Sequence, residues 1–176
     1  MTLSPAAQAR ARRIRLVLMD VDGVMTDGTI LFLGDGTEVK GFHAQDGVGI
    51  RLAQRCGIEI GVVTGRRSKA VEQRCAELDI SELHQGSWQK LPIFEEILAR
   101  RGLSAEDVCY IGDDLVDLPL LRRAGLAATV ADAHPEVRAV AHAVAELPGG
   151  RGAVREILEA ILKAQGRWDE LMALYP

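Results

Sequence analysis

Carboxylates and a hydroxyl follow three apolar runs of this chain. Asp20 and Asp22 come directly after the run 16–19, Thr64 follows a second run, and Asp113 follows a third. Apolar runs of this length predict buried strands. Carboxylates delivered to one edge of a sheet repel one another unless a cation lies between them. Oxygen ligands suit a hard cation that keeps exchangeable waters, so we expect Mg²⁺.

These residue types fit phosphoryl transfer. Asp20 at a strand tip can attack phosphorus in line, and Asp22 can protonate the leaving oxygen and later activate water. Lys90, at the start of a predicted helix, and the Thr64 hydroxyl can neutralise phosphate oxygens. We therefore predict Asp20, Asp22, Thr64 and Lys90 as the catalytic set, with an aspartyl-phosphate on Asp20.

Strand and helix patterns alternate along the chain, which predicts a parallel sheet with helices on both faces. Strands are expected over 58–63, 108–111, 126–130 and 142–144, and helices over 115–123 and 153–163, among others. Two short β-prone runs around Gly34-Asp35-Gly36 predict a hairpin over 29–42. Ligands of such sheets bind beyond the carboxyl ends of the strands.

Composition favours a single soluble domain. The chain has 176 residues, 48% of them hydrophobic, and a net charge of -4, which argues against nucleic-acid binding. Three cysteines without CxxC spacing predict free thiols, and no apolar run is long enough to span a bilayer, so we expect a cytoplasmic protein that binds no membrane. Residues 1–13 are expected to form a flexible arm instead of a signal peptide, and residues 165–176 a flexible tail.

Four segments in this order resemble the motifs of the haloacid dehalogenase superfamily of phosphatases. They are Asp-Val-Asp-Gly-Val at 20–24, Thr-Gly-Arg at 64–66, Lys90, and Gly-Asp-Asp-Leu-Val-Asp at 112–117. The stretches 20–28, 110–118 and 149–156 are similar to those of the superfamily's phosphatases for 3-deoxy-D-manno-octulosonate 8-phosphate, an eight-carbon sugar acid phosphate of lipopolysaccharide biosynthesis. The resemblance covers nearly the whole chain.

The resemblance implies a Rossmann-like three-layer α/β/α domain over 1–176, with a β-hairpin insertion and no cap domain. Gaps of 41 residues between Asp22 and Thr64, and of 22 between Lys90 and Asp113, leave no room for a cap. The family pattern assigns Asp20, Asp22 and Asp113 to the metal, Asp22 through its carbonyl. Asp114 and Asp117 are expected to support that site.

The substrate carries a carboxylate as well as a phosphate, and arginine suits bidentate carboxylate binding. By resemblance, the expected substrate contacts surround both groups. They are Asp22, His43, Ala44, Gln45, Asp46, Gly47, Arg51, Gly65, Arg66, Arg74 and Lys90. The segment 149–155 resembles a family tail that can reach an adjacent site, where Arg151 and Arg155 could help to clamp substrate.

A phosphotransfer site gains from excluding water, and a capless site has no lid of its own. Members of the resembled family are tetramers in which the hairpin forms the centre of the assembly. The exposed apolar side chains of the hairpin at 29–42 would otherwise be a liability. We therefore expect a homotetramer with sites between subunits.

Three alternatives remain open. A phosphatase for a nine-carbon sialic-type sugar acid has the same scaffold, although its residue at the position of Arg66 is typically acidic. A signalling receiver domain also carries a phosphorylated Asp beside a Thr, a Lys and Mg²⁺. Its acidic pair precedes the acceptor Asp, however, whereas in this chain the Asp-x-Asp motif follows the first strand and an acidic pair comes late. A third alternative is a relative that binds sugar phosphate without turnover.

Overall fold

The computed structural model describes residues 1–174, which form a parallel sheet flanked by helices. The strands are β1 (Leu16–Met19), β2 (Leu31–Phe32), β3 (Glu38–Val39), β4 (Glu59–Thr64), β5 (Glu82–Gln85), β6 (Val108–Ile111), β7 (Leu126–Thr129) and β8 (Ala143–Val144). The helices are α1 (Pro5–Ala11), α2 (Ala44–Arg55), α3 (Lys69–Glu77), α4 (Lys90–Arg101), α5 (Leu118–Leu121), α6 (Pro135–Val140), α7 (Ala153–Ala164) and α8 (Trp168–Met172).

The main sheet has six strands in the order β5-β4-β1-β6-β7-β8, all parallel. β1 lies inside it, with Leu16 paired to Glu59 on one side and to Val108 on the other. All four side chains of β1 are buried, as expected for a strand covered on both faces. This arrangement confirms the predicted three-layer Rossmann-like fold without a cap domain, and it delivers the ends of β1, β4 and β6 to one edge.

The hairpin stands apart from this sheet. β2 and β3 pair antiparallel with each other, Leu31 opposite Val39, and form a two-stranded sheet of their own. Leu31 and Phe32 are exposed. The hairpin follows the first acidic motif, so its base lies beside the carboxyl end of β1.

Two elements differ from the sequence prediction. β5 was not predicted, because its residues Glu82 to Gln85 are mostly polar and show no apolar run. The helix expected over 115–123 is instead a 3₁₀ turn at Leu115–Asp117 followed by the short helix α5. Asp114 caps the turn by accepting a hydrogen bond from the backbone N–H of Leu115.

Residues 1–13 are packed against the domain instead of forming the expected flexible arm. Ser4 caps α1, and Ala7 and Ala11 are buried in the core. Apolar side chains four positions apart lie on one face of a helix, which explains the packing. No helix within residues 1–174 is both long and apolar enough to cross a bilayer.

The expected flexible tail is likewise ordered over its described part. Gln165 donates hydrogen bonds to the backbone oxygens of Ala11 and Ile14 at 3.0 and 2.8 Å. α8 follows, and its Leu171 is buried. Residues 175 and 176 of the predicted tail lie outside the described residues.

Candidate active site

Asp20 lies where β1 ends and is 7% exposed. One carboxylate oxygen accepts the backbone N–H of Val21 at 2.7 Å, and the other lies 2.7 Å from Nζ of Lys90. Burial and the charge of Asp117 raise the pKa of Asp20 to about 6, against the opposing effect of Lys90. The side chain is therefore fixed in orientation and poorly solvated, which suits a positioned nucleophile.

Lys90 begins α4 and is 2% exposed. Its Nζ lies 2.7 Å from both Asp20 Oδ2 and Asp117 Oδ1. Burial by itself lowers the pKa of a lysine, but the charges of Asp20 and Asp117 outweigh it and raise the pKa of Lys90. The site thus keeps a permanent cation beside the candidate nucleophile.

Asp113 follows β6 and completes an acidic cluster. Single oxygens of Asp20, Asp113 and Asp117 lie within 4.8 Å of one another. Burial, followed by the charges of Asp117 and Asp20, raises the pKa of Asp113 to about 8. Its Oδ1 is buried without a hydrogen-bond partner among the described residues. A buried carboxylate oxygen with no donor, beside a second carboxylate, is the donor set of a hard divalent cation.

Glycine at position 23 allows Asp113 to reach this place. Gly23 has a φ of +87°, and a Cβ on it would lie 2.0 Å from Asp113 Oδ2. An L side chain would be strained there and would collide with the carboxylate. The loop after β1 and the loop after β6 are thereby in direct contact.

Asp117 lies beside Lys90, and both of its carboxylate oxygens accept hydrogen bonds. It is fully buried, and its Oδ1 accepts a hydrogen bond from Tyr110 Oη at 2.6 Å in addition to the contact with Lys90. Its Oδ2 accepts the backbone N–H groups of Asp113 and Asp114 at 3.0 and 3.3 Å. With both oxygens engaged, Asp117 orients its neighbours, and Asp20 and Asp113 are the better ligands for a cation.

Asp22 is held by cations from outside the main sheet. Lys40, whose side chain is 1% exposed, pairs with Asp22 Oδ1. Arg66 Nε lies 3.6 Å from Asp22 Oδ2, and Arg66 Nη2 lies 2.6 Å from Glu38 Oε1. Glu38 and Lys40 belong to the hairpin, so the hairpin fixes the carboxylate that was predicted as the acid and base.

These groups surround one cleft of about 150 Å³ at the carboxyl ends of the strands. It is lined by Asp20, Asp22, Thr64, Gly65, Arg66, Trp88, Lys90, Asp113, Asp114 and Val116. Thr64 ends β4 and is 3% exposed. All the predicted catalytic and metal residues thus line a single cleft, together with Gly65 and Arg66 of the predicted substrate contacts.

Comparison with known proteins gives a consistent result. Residues 80–157 match the family described as haloacid dehalogenase-like hydrolase. The sequence is 46% identical to the 3-deoxy-D-manno-octulosonate 8-phosphate phosphatase KdsC of Salmonella typhimurium, over 96% of this chain and 89% of that protein. The protein of the same name from Escherichia coli K12 is 47% identical over 92% of this chain and 86% of its own length. The chain belongs to this phosphatase family.

Solved structures of the phosphatase family share the fold. The Moraxella catarrhalis 3-deoxy-D-manno-octulosonate 8-phosphate phosphatase, in complex with magnesium ion, phosphate ion and KDO molecule, matches with a TM-score of 0.95 and 39% identity. That match covers 97% of this chain and 98% of the other. The Yersinia pestis phosphatase matches with a TM-score of 0.93 and 44% identity, over 95% of this chain and 90% of the other.

Asp22 and Lys90 apart, the remaining predicted substrate contacts of this phosphatase do not line the cleft. Asp46 is buried, and its carboxylate accepts backbone N–H groups of Gly152 and Arg155 at the start of α7. Ala44 and Gln45 are exposed, and His43 and Gly47 lie beside them at the start of α2. Asp46 therefore links α2 to the first turn of α7.

The two remaining arginines have other partners. Arg51 pairs with Asp79 and donates to the backbone oxygen of Glu77. Arg74 lies 3.3 Å from Glu77 and 5.8 Å from the ring of Phe42. Neither arginine lines the cleft.

The segment 149–155, which resembles a family tail that can reach an adjacent site, is packed against the loop after β1. Gly150 N–H donates to Val24 O at 2.9 Å, and Gly149 N–H donates to Asp132 at 3.0 Å. Arg151 lies 3.3 Å from Asp27, while Arg155 pairs with Glu159. In this conformation neither arginine lines the cleft of the phosphatase.

Sequence reasoning missed Glu38, Lys40, Trp88 and Tyr110 as residues of the phosphatase site. Glu38 and Lys40 are two positions apart on the second arm of the predicted hairpin, which places them on one face. That spacing was a usable signal. Nothing in the sequence reports that this face folds back over Asp22.

Proposed function

We propose that this phosphatase hydrolyses 3-deoxy-D-manno-octulosonate 8-phosphate to the free sugar acid and inorganic phosphate, in lipopolysaccharide biosynthesis. The chemistry rests on one observation, the buried Asp20 carboxylate held by Lys90 in the same cleft as Asp22. The substrate rests on similarity to phosphatases of that name over nearly the whole chain. The cytoplasm, where soluble sugar phosphates are processed, is the proposed location.

In the first step, Asp20 attacks phosphorus, and the bond between phosphorus and the sugar oxygen breaks. The leaving oxygen takes a proton from Asp22. In the second step, Asp22 accepts a proton from water, which attacks the aspartyl-phosphate, releases inorganic phosphate and restores Asp20. Lys90 and the Thr64 hydroxyl hold the phosphoryl oxygens in both steps.

Mg²⁺ is the proposed cofactor, because the donor set described above fits a hard cation and a related structure contains magnesium. Asp20 and Asp113 would hold it through carboxylate oxygens, and Asp22 through its backbone carbonyl. When bound, it would neutralise charge on the phosphoryl oxygens. The orientation of Asp113 depends on Asp117, which anchors the loop after β6.

Arg66 supports an acidic sugar as the substrate. Its guanidinium lines the cleft beside Asp22, where it can bind a carboxylate. The nine-carbon sialic-type sugar acid phosphate is the second candidate substrate, although an acidic residue is expected at position 66 in its phosphatases. Membership of the phosphatase family removes the signalling receiver alternative.

Phosphate release from the eight-carbon sugar acid phosphate, a nine-carbon sugar acid phosphate and an aryl phosphate tests the proposal. Each is measured with Mg²⁺ and with a chelator. We expect strong preference for the eight-carbon acid and loss of all activity with the chelator. Equal slow hydrolysis of the three would remove the substrate assignment, and no hydrolysis would favour a sugar-phosphate-binding protein without turnover.

Asp20→Asn tests the nucleophile. The substitution should abolish turnover and the capture of covalent phosphate, while circular dichroism and the melting temperature stay close to those of the wild type. Retained hydrolysis would contradict the role of Asp20. Asp107→Asn is a useful comparison, because this carboxylate accepts hydrogen bonds from Ser104, lies outside the cleft and is not a predicted substrate contact, so its loss should affect stability more than turnover.

A homotetramer with sites between subunits is proposed as the functional assembly. The hairpin exposes apolar side chains that a partner could cover, among them Leu31 at 53%, Phe32 at 61% and Leu33 at 56%. The substrate contacts that lie outside their own cleft could serve a neighbouring one. Light scattering of the wild type and of Phe32→Asp tests this, and a fully active wild-type monomer at micromolar concentration would contradict it.

A further inference from the structure

Trp88 stands at the mouth of the catalytic cleft with 66% of its surface exposed. It belongs to the loop between β5 and α4, two residues before Lys90. An indole ring carries a large apolar surface that gains from being covered. The position of this ring, beside a phosphate-binding lysine, brings it within reach of any substrate that enters the cleft.

One part of the ring is already covered. The fused edge of the Trp88 indole packs over Gly65, where an added Cβ would lie 3.1 Å from two ring atoms. A side chain at position 65 would push the ring outward by a few tenths of an ångström, so glycine favours this close approach. The ring is thus supported from the side of the Thr64 loop, and its large exposed fraction shows that much of it remains open.

The rest of the cleft is polar. Apart from Trp88, Val116 and Gly65, its lining consists of carboxylates, the Thr64 hydroxyl and the cations Arg66 and Lys90. Such groups bind a phosphate and a carboxylate, but they offer no surface to a carbon skeleton. Binding sites usually combine apolar and aromatic walls with a few polar anchors. Trp88 supplies the large apolar surface that the polar groups lack.

We infer that Trp88 is a specificity-determining residue whose open indole surface packs against the carbon skeleton of the sugar acid. The inference rests on the proposed function, because it concerns the leaving group of that reaction. Carbon-bound hydrogens of a sugar face the electron-rich surface of the ring. The contact is formed in the bound substrate and kept in the transition state, so it favours sugar esters over small phosphate compounds.

Fluorescence provides a direct test. The chain has two tryptophans, and Trp168 packs under Lys163 outside the cleft, so Trp168→Phe leaves Trp88 as the sole indole. Adding free 3-deoxy-D-manno-octulosonate should shift its emission to shorter wavelength, and inorganic phosphate alone should not. Binding of the sugar acid by calorimetry without any change in emission would contradict the inference.

Kinetics separate this role from support of the Gly65 loop. Trp88→Ala should raise KM for the sugar acid phosphate about tenfold, with kcat within about twofold, because a uniformly formed apolar contact is lost. Hydrolysis of acetyl phosphate, which has no sugar, should be unchanged. Trp88→Phe should restore most of the loss, and Leu91→Ala, an exposed apolar residue outside the cleft lining, should have no effect.

Equal losses on both substrates would show that Trp88 only positions the loops, and no loss on either would show that it has no role; both overturn the inference. If the wild type hydrolyses acetyl phosphate but not this sugar acid phosphate, the proposed substrate is wrong. The same variants are then measured on the sugar phosphate that is preferred. A loss confined to that sugar ester would still support Trp88, so the two failures are distinguishable.

Discussion

Buried carboxylates lie at both ends of the sheet, and they differ in how they are neutralised. Glu82, at the amino end of β5, is 4% exposed and is contacted by Arg100 at 2.7 Å, by Arg101 at 2.6 Å and by His84 at 2.6 Å. At the carboxyl end, Asp20, Asp113 and Asp117 lie close together with Lys90 as their buried cation. Cations surround the first carboxylate, while the second group carries an excess of negative charge.

The comparison distinguishes a buried carboxylate that stabilises the fold, Glu82, from a cluster of buried carboxylates that is suited to chemistry. A carboxylate with several hydrogen-bonding cations has little need of a further ligand. A cluster in which burial and neighbouring carboxylates raise the pKa values of Asp20 and Asp113 remains incomplete. A bound cation would supply the positive charge that this cluster lacks, and the same cation could then bind the negatively charged phosphoryl group.

Asp113→Asn, in the acidic cluster at the carboxyl end of the sheet, is expected to have the largest effect on activity. Activity should fall about a hundredfold or more, since a proposed metal ligand is lost. The metal-free protein should become more stable by about 1 kcal/mol, because folding raises the pKa of Asp113 to about 8 and so requires this carboxyl to take up a proton at neutral pH, which asparagine does not need. Urea unfolding with chelator measures this, and a less stable metal-free variant would contradict it.

Glu82→Gln should change the stability of the protein in the opposite direction to Asp113→Asn. Removing the charge leaves Arg100 and Arg101 poorly compensated, and the free energy of unfolding should fall by about 2 kcal/mol. Activity at 25 °C should be retained. Glu95→Gln is the matched control, because its pair with Arg123 is exposed on both sides and contributes at most about 1 kcal/mol. Equal effects of the two substitutions would remove the distinction.

Lys40→Met tests the role of the cations beside Asp22, the carboxylate of the cleft that pairs with Lys40 and Arg66. Asp22 should lose its orientation, and kcat should fall about tenfold while KM changes less. The exposed Lys69→Met serves as control. A change confined to KM would show that Lys40 binds substrate instead of positioning Asp22.

The smallest expected effect concerns His142, whose Nδ1 accepts the backbone N–H of Ala127 at 2.9 Å. Burial, followed by the charge of Arg10, lowers its pKa below 6.5. The unfolded chain therefore binds a proton that the folded one does not, and stability falls as pH drops below about 6.5. His142→Gln should reduce that loss by up to about 1 kcal/mol between pH 7 and 5.

The control for this pH experiment is the exposed His134. His134→Gln should leave the slope of stability against pH between 7 and 5 as in the wild type. Urea midpoints at several pH values measure both variants. An unchanged slope in His142→Gln would contradict the role of this ring.

The ends of three strands could be predicted from the sequence. An apolar run followed by Asp20, Thr64 or Asp113 indicates a buried strand and places the polar residue at the carboxyl end of the sheet. Contacts made by chain reversal were not readable. Lys40 reaches Asp22, and Glu38 reaches Arg66, only after the hairpin has folded back; likewise Arg51 of α2 pairs with Asp79, which follows α3.

The helix α1 had a usable signal, because Leu3, Ala7 and Ala11 are four residues apart and are all buried. The charge of the neighbouring arginines concealed it, since an arginine-rich start without a long apolar run favours a mobile arm. β5 had no such signal. Its Glu82 and His84 are held in the sheet by contacts with each other and with α4, which single-sequence patterns do not record.

The place of β1 inside the sheet has a consequence for the order of events during synthesis. Its two neighbours, β4 and β6, end at residues 64 and 111, so the strand that carries Asp20 waits for most of the chain before its pairing is complete. Contacts of such long sequence separation slow folding. The catalytic cleft therefore cannot assemble until Asp113 and Asp117 have left the ribosome, although Asp20 emerges near the start of synthesis.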